Sequence, residues 1–241
     1  YGCGMRDQGV VGMSFEEEIS GFSIVYVGAF NPAIFSPLWM LGHSLISQTE
    51  YDEAVIDLIT PDIVQFKTKN FSLNSDRERF SIFDAGPAPI RTFDLSIRLF
   101  GEILVHTPLT QAGVNWERHY RADNWDNLHR IGDILAPKKP WGNFGESMLR
   151  SHSREQFRRG GLRSLTMEET IRPDGLSGAV RVTIEPSVVV KPGLFMRLND
   201  HFEINDVTKP TGAIELITLL NDKFDESQAR FLSISKHILS L

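Results

Sequence analysis

Apolar positions along the first part of the chain follow two periods, which predict an alternation of strands and helices. The apolar stretch at residues 22–30 predicts a buried strand, and Ser36-Pro37 marks the start of a helix that we expect to reach residue 47. Apolar residues at three- and four-residue steps from Ile90 to Leu104 predict an amphipathic helix. The other elements expected before residue 140 are strands at 54–59, 63–70, 79–83 and 112–121, and a short helix that Asn124 caps and Pro137 ends.

The last hundred residues predict a helix, three strands and a helical C-terminal part. The helix at 146–159 is expected to end at Gly160-Gly161, because glycine readily adopts the backbone conformation that closes a helix. Turns rich in proline and glycine separate the strands. These strands are expected at 164–171, 179–190 and 194–204, and the helices at 213–223 and 226–239, with Asp225 as the cap of the second helix.

The order of these elements predicts an α+β fold. When the segments 54–59 and 63–70 are taken as one strand broken at Pro61, residues 1–140 follow the order strand, helix, strand, strand, helix, strand. This order is typical of a ferredoxin-like βαββαβ unit. We therefore expect two packed halves of mainly antiparallel sheet, 1–140 and 141–241, with helices on one side. The layout is similar to that of many bacterial proteins, but no motif assigns the chain to a known family.

One long uncharged segment is a candidate for a membrane span. Residues 19–49 contain no Asp, Glu, Lys or Arg, and the run is long enough to cross a bilayer. Asn31, Pro32 and His43 interrupt it, and no cluster of Lys or Arg flanks it. A buried strand followed by a helix explains the run better, so no membrane contact is expected.

Composition places the chain among ordinary globular proteins. It has 241 residues, of which 41% are hydrophobic and 23% are charged. The one cysteine, Cys3, allows no internal disulfide, which favours a reducing compartment and hence a soluble, cytoplasmic protein.

Charge is distributed unevenly. Residues 1–140 hold 12 Lys and Arg against 18 Asp and Glu, whereas residues 141–241 hold 13 of each. The net charge of −6 argues against a nucleic-acid coat protein. An anionic partner would meet the least repulsion in the second part of the chain.

Signatures of nucleotide binding and of acyl transfer are absent from the sequence. It contains no glycine-rich loop ending in Lys-Ser or Lys-Thr, no GxGxxG at a strand–helix junction and no GxSxG. We therefore expect no cofactor.

Histidines with nearby carboxylates are the weak candidates for catalysis. His129 and Asp133 are four residues apart on a predicted helix and so share one face, and His119 ends the preceding strand. Together these three residues are candidates for an acid–base or metal site, although a helix-surface pair and a histidine hydrogen-bonded to the backbone explain them more simply. No established metal-binding motif is present, so no metal is expected.

A second polar group lies on a strongly predicted strand. Strand alternation places Asn199, His201 and Glu203 on one face and Asp200 and Phe202 on the other. Because Phe202 is expected to point to the core, the His201 set should point to solvent or to an interface. His201 is a further weak candidate for proton transfer.

Arginines cluster in the second part of the chain. Arg150, Arg154 and Arg158 are spaced by four and so form one stripe on a predicted helix, with Arg159 and Arg163 nearby. The guanidinium group suits carboxylates and phosphates, which makes this segment the candidate surface for an anionic partner. A solvated helix face paired with acids of the first part is the simpler alternative.

Two classes of function remain open from the sequence. The favoured one is a non-catalytic interaction or assembly protein, an oligomer or complex subunit that contacts an acidic protein partner. The alternative is a metal-assisted or acid–base hydrolase acting on a phosphate-bearing substrate or nucleic acid. Absence of motifs is weak evidence against an enzyme, since many sites are assembled only in the fold.

Overall fold

The computed structural model describes residues 15–84, 86, 89–149, 160–204 and 212–241. Within these residues the strands form one nine-stranded antiparallel sheet with the order β2-β3-β4-β5-β1-β6-β9-β8-β7. The strands are β1 Phe15–Gly28, β2 Val55–Ile59, β3 Val64–Lys67, β4 Ser72–Ser75, β5 Arg79–Asp84, β6 Leu109–Ala122, β7 Leu165–Glu169, β8 Gly178–Pro186 and β9 Gly193–Glu203.

The α-helices lie between and after the strands. A π-helical turn, Leu99–Ile103, continues α3, and short 3₁₀ turns occur at Pro32–Ile34 and Lys139–Trp141. The α-helices are α1 Pro37–Gly42, α2 Gln48–Asp52, α3 Ile90–Arg98, α4 Trp125–Leu135, α5 Gly142–Leu149 and α6 Ile214–Leu239.

The predicted α+β class with antiparallel sheet is confirmed, and the ferredoxin-like order of the first half is not. Where that order requires two strands between its helices, the structure has four, β2 to β5. One of the additional strands is β4. Its short polar sequence has no alternation of apolar and polar residues from which a strand could be predicted. The sheet continues from the first part of the chain into the second, because β6 pairs with β9 along eleven residues.

The long central strand β1 begins earlier than its apolar pattern suggested. Glu17 contacts Arg118 of β6 at 3.0 Å, and Glu18 forms an ion pair with Arg121. A bulge between Glu17 and Ile19 accompanies these contacts. Cross-strand ion pairs therefore extend β1 through a segment whose hydrophobic pattern does not predict a strand.

One face of the sheet carries the core beneath α3 and α6. The Phe93 ring of α3 stacks on Phe224 of α6 with ring centroids 4.0 Å apart. Trp116 of β6 is fully buried, and its indole nitrogen donates to Ser227 of α6 at 3.0 Å. Both helices thus cover the same face.

The C-terminal segment is one helix rather than the two that were predicted. Leu216, Leu220, Phe224 and Phe231 are all buried on one side of α6. Asp225, the expected cap, is an exposed residue in the middle of this helix. Continuous burial of one face outweighs the local capping signal.

The start of α1 is as predicted, although the helix ends at Gly42 rather than at residue 47. Ser36 caps α1, since its hydroxyl oxygen accepts from the Trp39 backbone N–H at 3.3 Å. Asn124 caps α4 in the same way, accepting from the Asn127 N–H at 2.9 Å. Among the described helices, none combines the length and apolarity that crossing a bilayer requires.

Candidate functional site

The two faces of strands β6 and β9 differ in polarity. Alternate residues such as Trp116, Leu198 and Phe202 point to the helix-covered core and are fully buried. The residues between them are largely polar and partly accessible, and no described helix covers this second face, which we call the open face. The predicted alternation around His201 is therefore confirmed.

A row of polar side chains crosses the middle of the open face. Asn115 of β6 lies opposite Asn199 of β9, and Asn199 lies opposite Arg181 of β8. The Asn199 side-chain nitrogen donates to the Asn115 side-chain oxygen at 2.8 Å. The Asn115 nitrogen lies 3.5 Å from the Ser23 carbonyl oxygen of β1. This row offers both donors and acceptors to a bound molecule.

The adjacent row contains small residues, which leave a depression in the surface of the open face. Gly113 of β6 lies opposite Val25 of β1 and His201 of β9, and His201 lies opposite Ala179 of β8. A Cβ atom at Gly113 would lie 2.9 Å from the Asn199 side-chain nitrogen. Glycine is thus the residue that leaves the asparagine pair undisturbed.

A cavity of about 490 Å³ lies above these rows. Its size is within the range of pockets that hold small molecules or a few residues of a peptide. It is lined by Val25, Val27, Arg79, Gln111, Ala112, Gly113, Asn115, Arg181, Thr183, Arg197, Asn199 and His201.

Positive charge dominates the described lining of this open-face cavity. Arg79, Arg181 and Arg197 line it, and no carboxylate does. Arg181 pairs with Glu168 outside the cavity, and Arg197 lies 3.6 Å from Glu117. Among the described residues, no ion-pair partner of Arg79 is found.

Nearby hydrogen bonds orient the predicted candidate His201. Its Nε2 atom lies 3.1 Å from a Glu203 carboxylate oxygen, which also accepts from Gln111 at 3.4 Å. This places the imidazole beside the Arg181–Asn199 row. His201 is thus the one catalytic candidate from the sequence that lines the open-face cavity.

The candidates His129 and Asp133 lie elsewhere. Both line a second cavity of about 490 Å³ between α4, residues 161–163 and the β8–β9 turn, and Arg163 lines it too. Asp133 forms an ion pair with the buried Lys138. We call this space the α4 cavity.

His119 is near the α4 cavity but does not line it. A hydrogen bond of 2.8 Å joins its Nδ1 atom to the Ser187 hydroxyl. That oxygen also accepts from the Val190 backbone N–H at 2.9 Å and from the Val189 N–H at 3.2 Å, so its own proton points to His119. Burial lowers the pKa of His119, opposed by the negative charge of Glu117. The neutral imidazole and the serine together hold the turn.

The structure does not group His119, His129 and Asp133 as metal ligands. In the part of the chain that the structure describes, no three His, Cys, Asp or Glu side chains are grouped so that they could bind a metal ion. Four of the arginine candidates lie outside the described residues, namely Arg150, Arg154, Arg158 and Arg159.

Sequence reasoning missed the three arginines of the open-face cavity. Arg79, Arg181 and Arg197 lie on three different strands, and their sequence separation conceals their common location. A signal was available on β8, where Arg181 and Thr183 alternate with Val180 and Val182. Strand order was also needed, because only the pairing of β8 with β9 places Arg181 beside Asn199.

Comparisons with known proteins gave no match: no family model fits the chain, and no curated protein is significantly similar to it.

Proposed function

We propose that this chain is a non-catalytic interaction protein that binds an acidic, extended segment of a partner protein on its open face. The observation that carries the proposal is the lining of the open-face cavity, whose described residues include Arg79, Arg181 and Arg197 and no carboxylate. Arginine presents planar, multiple N–H donors that match carboxylates.

The polar rows favour a peptide over a simple anion. Side chains of Asn115, Asn199 and Gln111 each contain an amide, which pairs with the donors and acceptors of an extended peptide backbone. Neighbouring strands lie about 4.8 Å apart, so amides on β6 and β9 can contact different polar groups of one extended ligand.

The ion pairs already present on this face contribute little to folding stability, so a ligand can replace their carboxylates. Arg181 and Arg197 have side chains that are 54% and 47% exposed, and both face carboxylates through a solvated contact. Exposed pairs of this kind contribute at most about 1 kcal/mol each. An incoming carboxylate can therefore replace Glu168 or Glu117 without a large loss of folding stability.

A fluorescein-labelled peptide of alternating Glu and Ser residues is the probe for this proposal. We expect saturable binding by fluorescence anisotropy that weakens as salt rises. The triple variant R79A/R181A/R197A should bind the peptide at least about tenfold more weakly, since three solvated contacts together contribute about 1.5 kcal/mol or more.

The matched control is R77A/R98A/R130A, which removes the same charge from residues that do not line the open-face cavity. Its affinity for the peptide should stay within about twofold of the unmodified protein, a difference of about 0.4 kcal/mol. Equal binding by both triple variants would overturn the proposal. Tighter binding of a single-stranded oligonucleotide than of the peptide, lost in the open-face variant alone, would assign the face to nucleic acid instead.

The proposal also includes self-association through β2, an edge strand of the sheet. Val55, Ile56, Leu58 and Ile59 are 40–60% exposed, so β2 presents apolar side chains. Within the described part of the chain, its outer edge also has no strand partner for its backbone groups. Such an edge pairs readily with another strand. Its one charged residue, Asp57, contacts Lys67 of β3 at 2.9 Å, which reduces the repulsion between two copies.

A further inference from the structure

The α4 cavity combines apolar walls with cations. Trp125 and Leu128 of α4, Leu162, and Leu194 of β9 supply much of the apolar surface. Pockets of this kind bury the body of a small ligand, while a few polar groups set its orientation.

Exposed residues mark the mouth of this cavity. Arg163 and Lys191 both line it and are exposed, and within the described residues neither side chain has an ion-pair partner. Val188, which is 81% exposed, lies beside them. Two cations thus stand next to an apolar interior.

The one negative charge in the described lining is already paired with a cation, so the net charge at the cavity stays positive. Asp133 is the one carboxylate among the described lining residues, and the Lys138 ammonium group is bound to it. His129 lies one helical turn before Asp133 on the same face of α4.

The walls of the cavity are held in place by close contacts. Gly132 lets α4 approach Leu162, since a Cβ atom at that position would be 3.3 Å from the Leu162 Cβ. On the opposite wall, the Ser187 hydroxyl fixes the β8–β9 turn through the Val190 and Val189 N–H groups and His119. A preformed cavity costs less to fill than one that must be created on binding.

We propose that the α4 cavity is a binding site for a small amphipathic carboxylate, with its apolar body between α4 and Leu194 and its carboxylate between Arg163 and Lys191. This site is separate from the open-face cavity and shares none of its lining residues. It therefore does not depend on the proposed binding of an acidic peptide.

Decanoate below its micellar concentration is the probe, titrated into the full chain in a calorimeter. We expect one site per chain, with affinity falling about fourfold for each methylene removed from the acid. Decanol should bind at least about tenfold more weakly, because it cannot make charge-assisted hydrogen bonds to the two cations.

The variant R163M/K191M keeps the apolar part of both side chains and removes their charge. It should bind decanoate at least about tenfold more weakly, whereas R130M, one residue beyond His129 but outside the lining, should stay within about twofold. Equal affinity of R163M/K191M and the unmodified protein, or equal affinity for decanol and decanoate, would overturn the proposal. So would the absence of any decanoate binding by the folded protein.

Quenching by bromodecanoate locates the ligand independently of charge. Loss of the quenching in W125F and its retention in W141F would support the site, because Trp125 lines the cavity and Trp141 does not. The reverse pattern would place the ligand elsewhere and overturn the assignment. Peptide binding on the open face should be the same in R163M/K191M as in the unmodified protein, so the two proposals can fail separately.

Discussion

Arg172 and Asp200 form an ion pair in which both side chains are only 1% exposed. Asp200 belongs to β9, Arg172 to the connection between β7 and β8, and Arg230 of α6 donates to the second Asp200 oxygen at 2.9 Å. The Arg172 guanidinium group also lies 4.2 Å from the centre of the Phe202 ring. One carboxylate thus connects a strand, a loop and the C-terminal helix.

Replacement of Asp200 by Asn should destabilise the protein strongly. Arg172 would keep Asp174, whose carboxylate lies 2.7 Å away, but both Arg172 and Arg230 would lose the Asp200 carboxylate. Loss of hydrogen bonds to a charged group of this kind costs about 1.5–3 kcal/mol. Urea unfolding gives the measurement. Asp57→Asn, which breaks the exposed pair with Lys67, should cost less than about 1 kcal/mol. A stability of D200N within about 1 kcal/mol of the unmodified protein would contradict this role of the pair.

Stability should fall as acid protonates Glu50. Burial disfavours the Glu50 carboxylate, but hydrogen bonds from Ser47, Asn70 and Arg91 outweigh that effect and lower its pKa to about 2. Because the unfolded chain takes up the proton first, this contribution is complete above about pH 5 and is lost as the pH falls towards 2. Its upper limit is about 3 kcal/mol.

Thermal unfolding of E50Q and the unmodified protein between pH 6 and pH 2 tests this. Their difference in stability should be largest at pH 6 and shrink as the pH falls. Glu102→Gln serves as the control, since Glu102 is a 66% exposed residue at the surface of the π-helical turn. A difference between E50Q and the unmodified protein that is independent of pH would refute the assigned pKa.

Two glycines at and just before the start of β8 should respond differently to Ala. Gly178 has a φ of 128°, and a Cβ atom there would lie 2.0 Å from the His201 carbonyl oxygen. Gly175 also has a positive φ, 73°, but no atom lies within 4 Å of a Cβ added there. We expect G178A to lose at least about 2 kcal/mol by chemical denaturation, and G175A about 1 kcal/mol. Equal losses of stability in G178A and G175A would show that the steric contact with β9 does not determine the effect of the Gly178 substitution.

Self-association should depend on the exposed edge of β2. Sedimentation across a range of protein concentrations should detect association that I56K/L58K reduces by at least about tenfold, since charged side chains on an edge strand oppose pairing. E102K is the matched control, because it adds the same two positive charges at an exposed residue outside β2, and it should leave association unaltered. A monomer at all concentrations would remove self-association from the proposal.

Local chemistry determined much of the secondary structure. Asn124 as a cap and Pro137 as a stop bracket α4, and both signals act within one turn of the chain. Alternation along β9 correctly separated His201 from Phe202, because the two faces of a strand follow directly from its pleat. The break expected at Asp225 was wrong, since burial of Phe224 and Phe231 against the sheet outweighs a weak local signal.

The sequence by itself thus determined the α+β class, most strand and helix positions, and the polar side of β9. Only the tertiary structure decided which distant residues meet. Strand order brings Arg79, Arg181 and Arg197 around one cavity, and it places His129 and Asp133 in another cavity away from His201. The physical reason is range: periodicity and capping act over a few residues, whereas sheet pairing joins residues as far apart in the chain as Phe15 and Ala122.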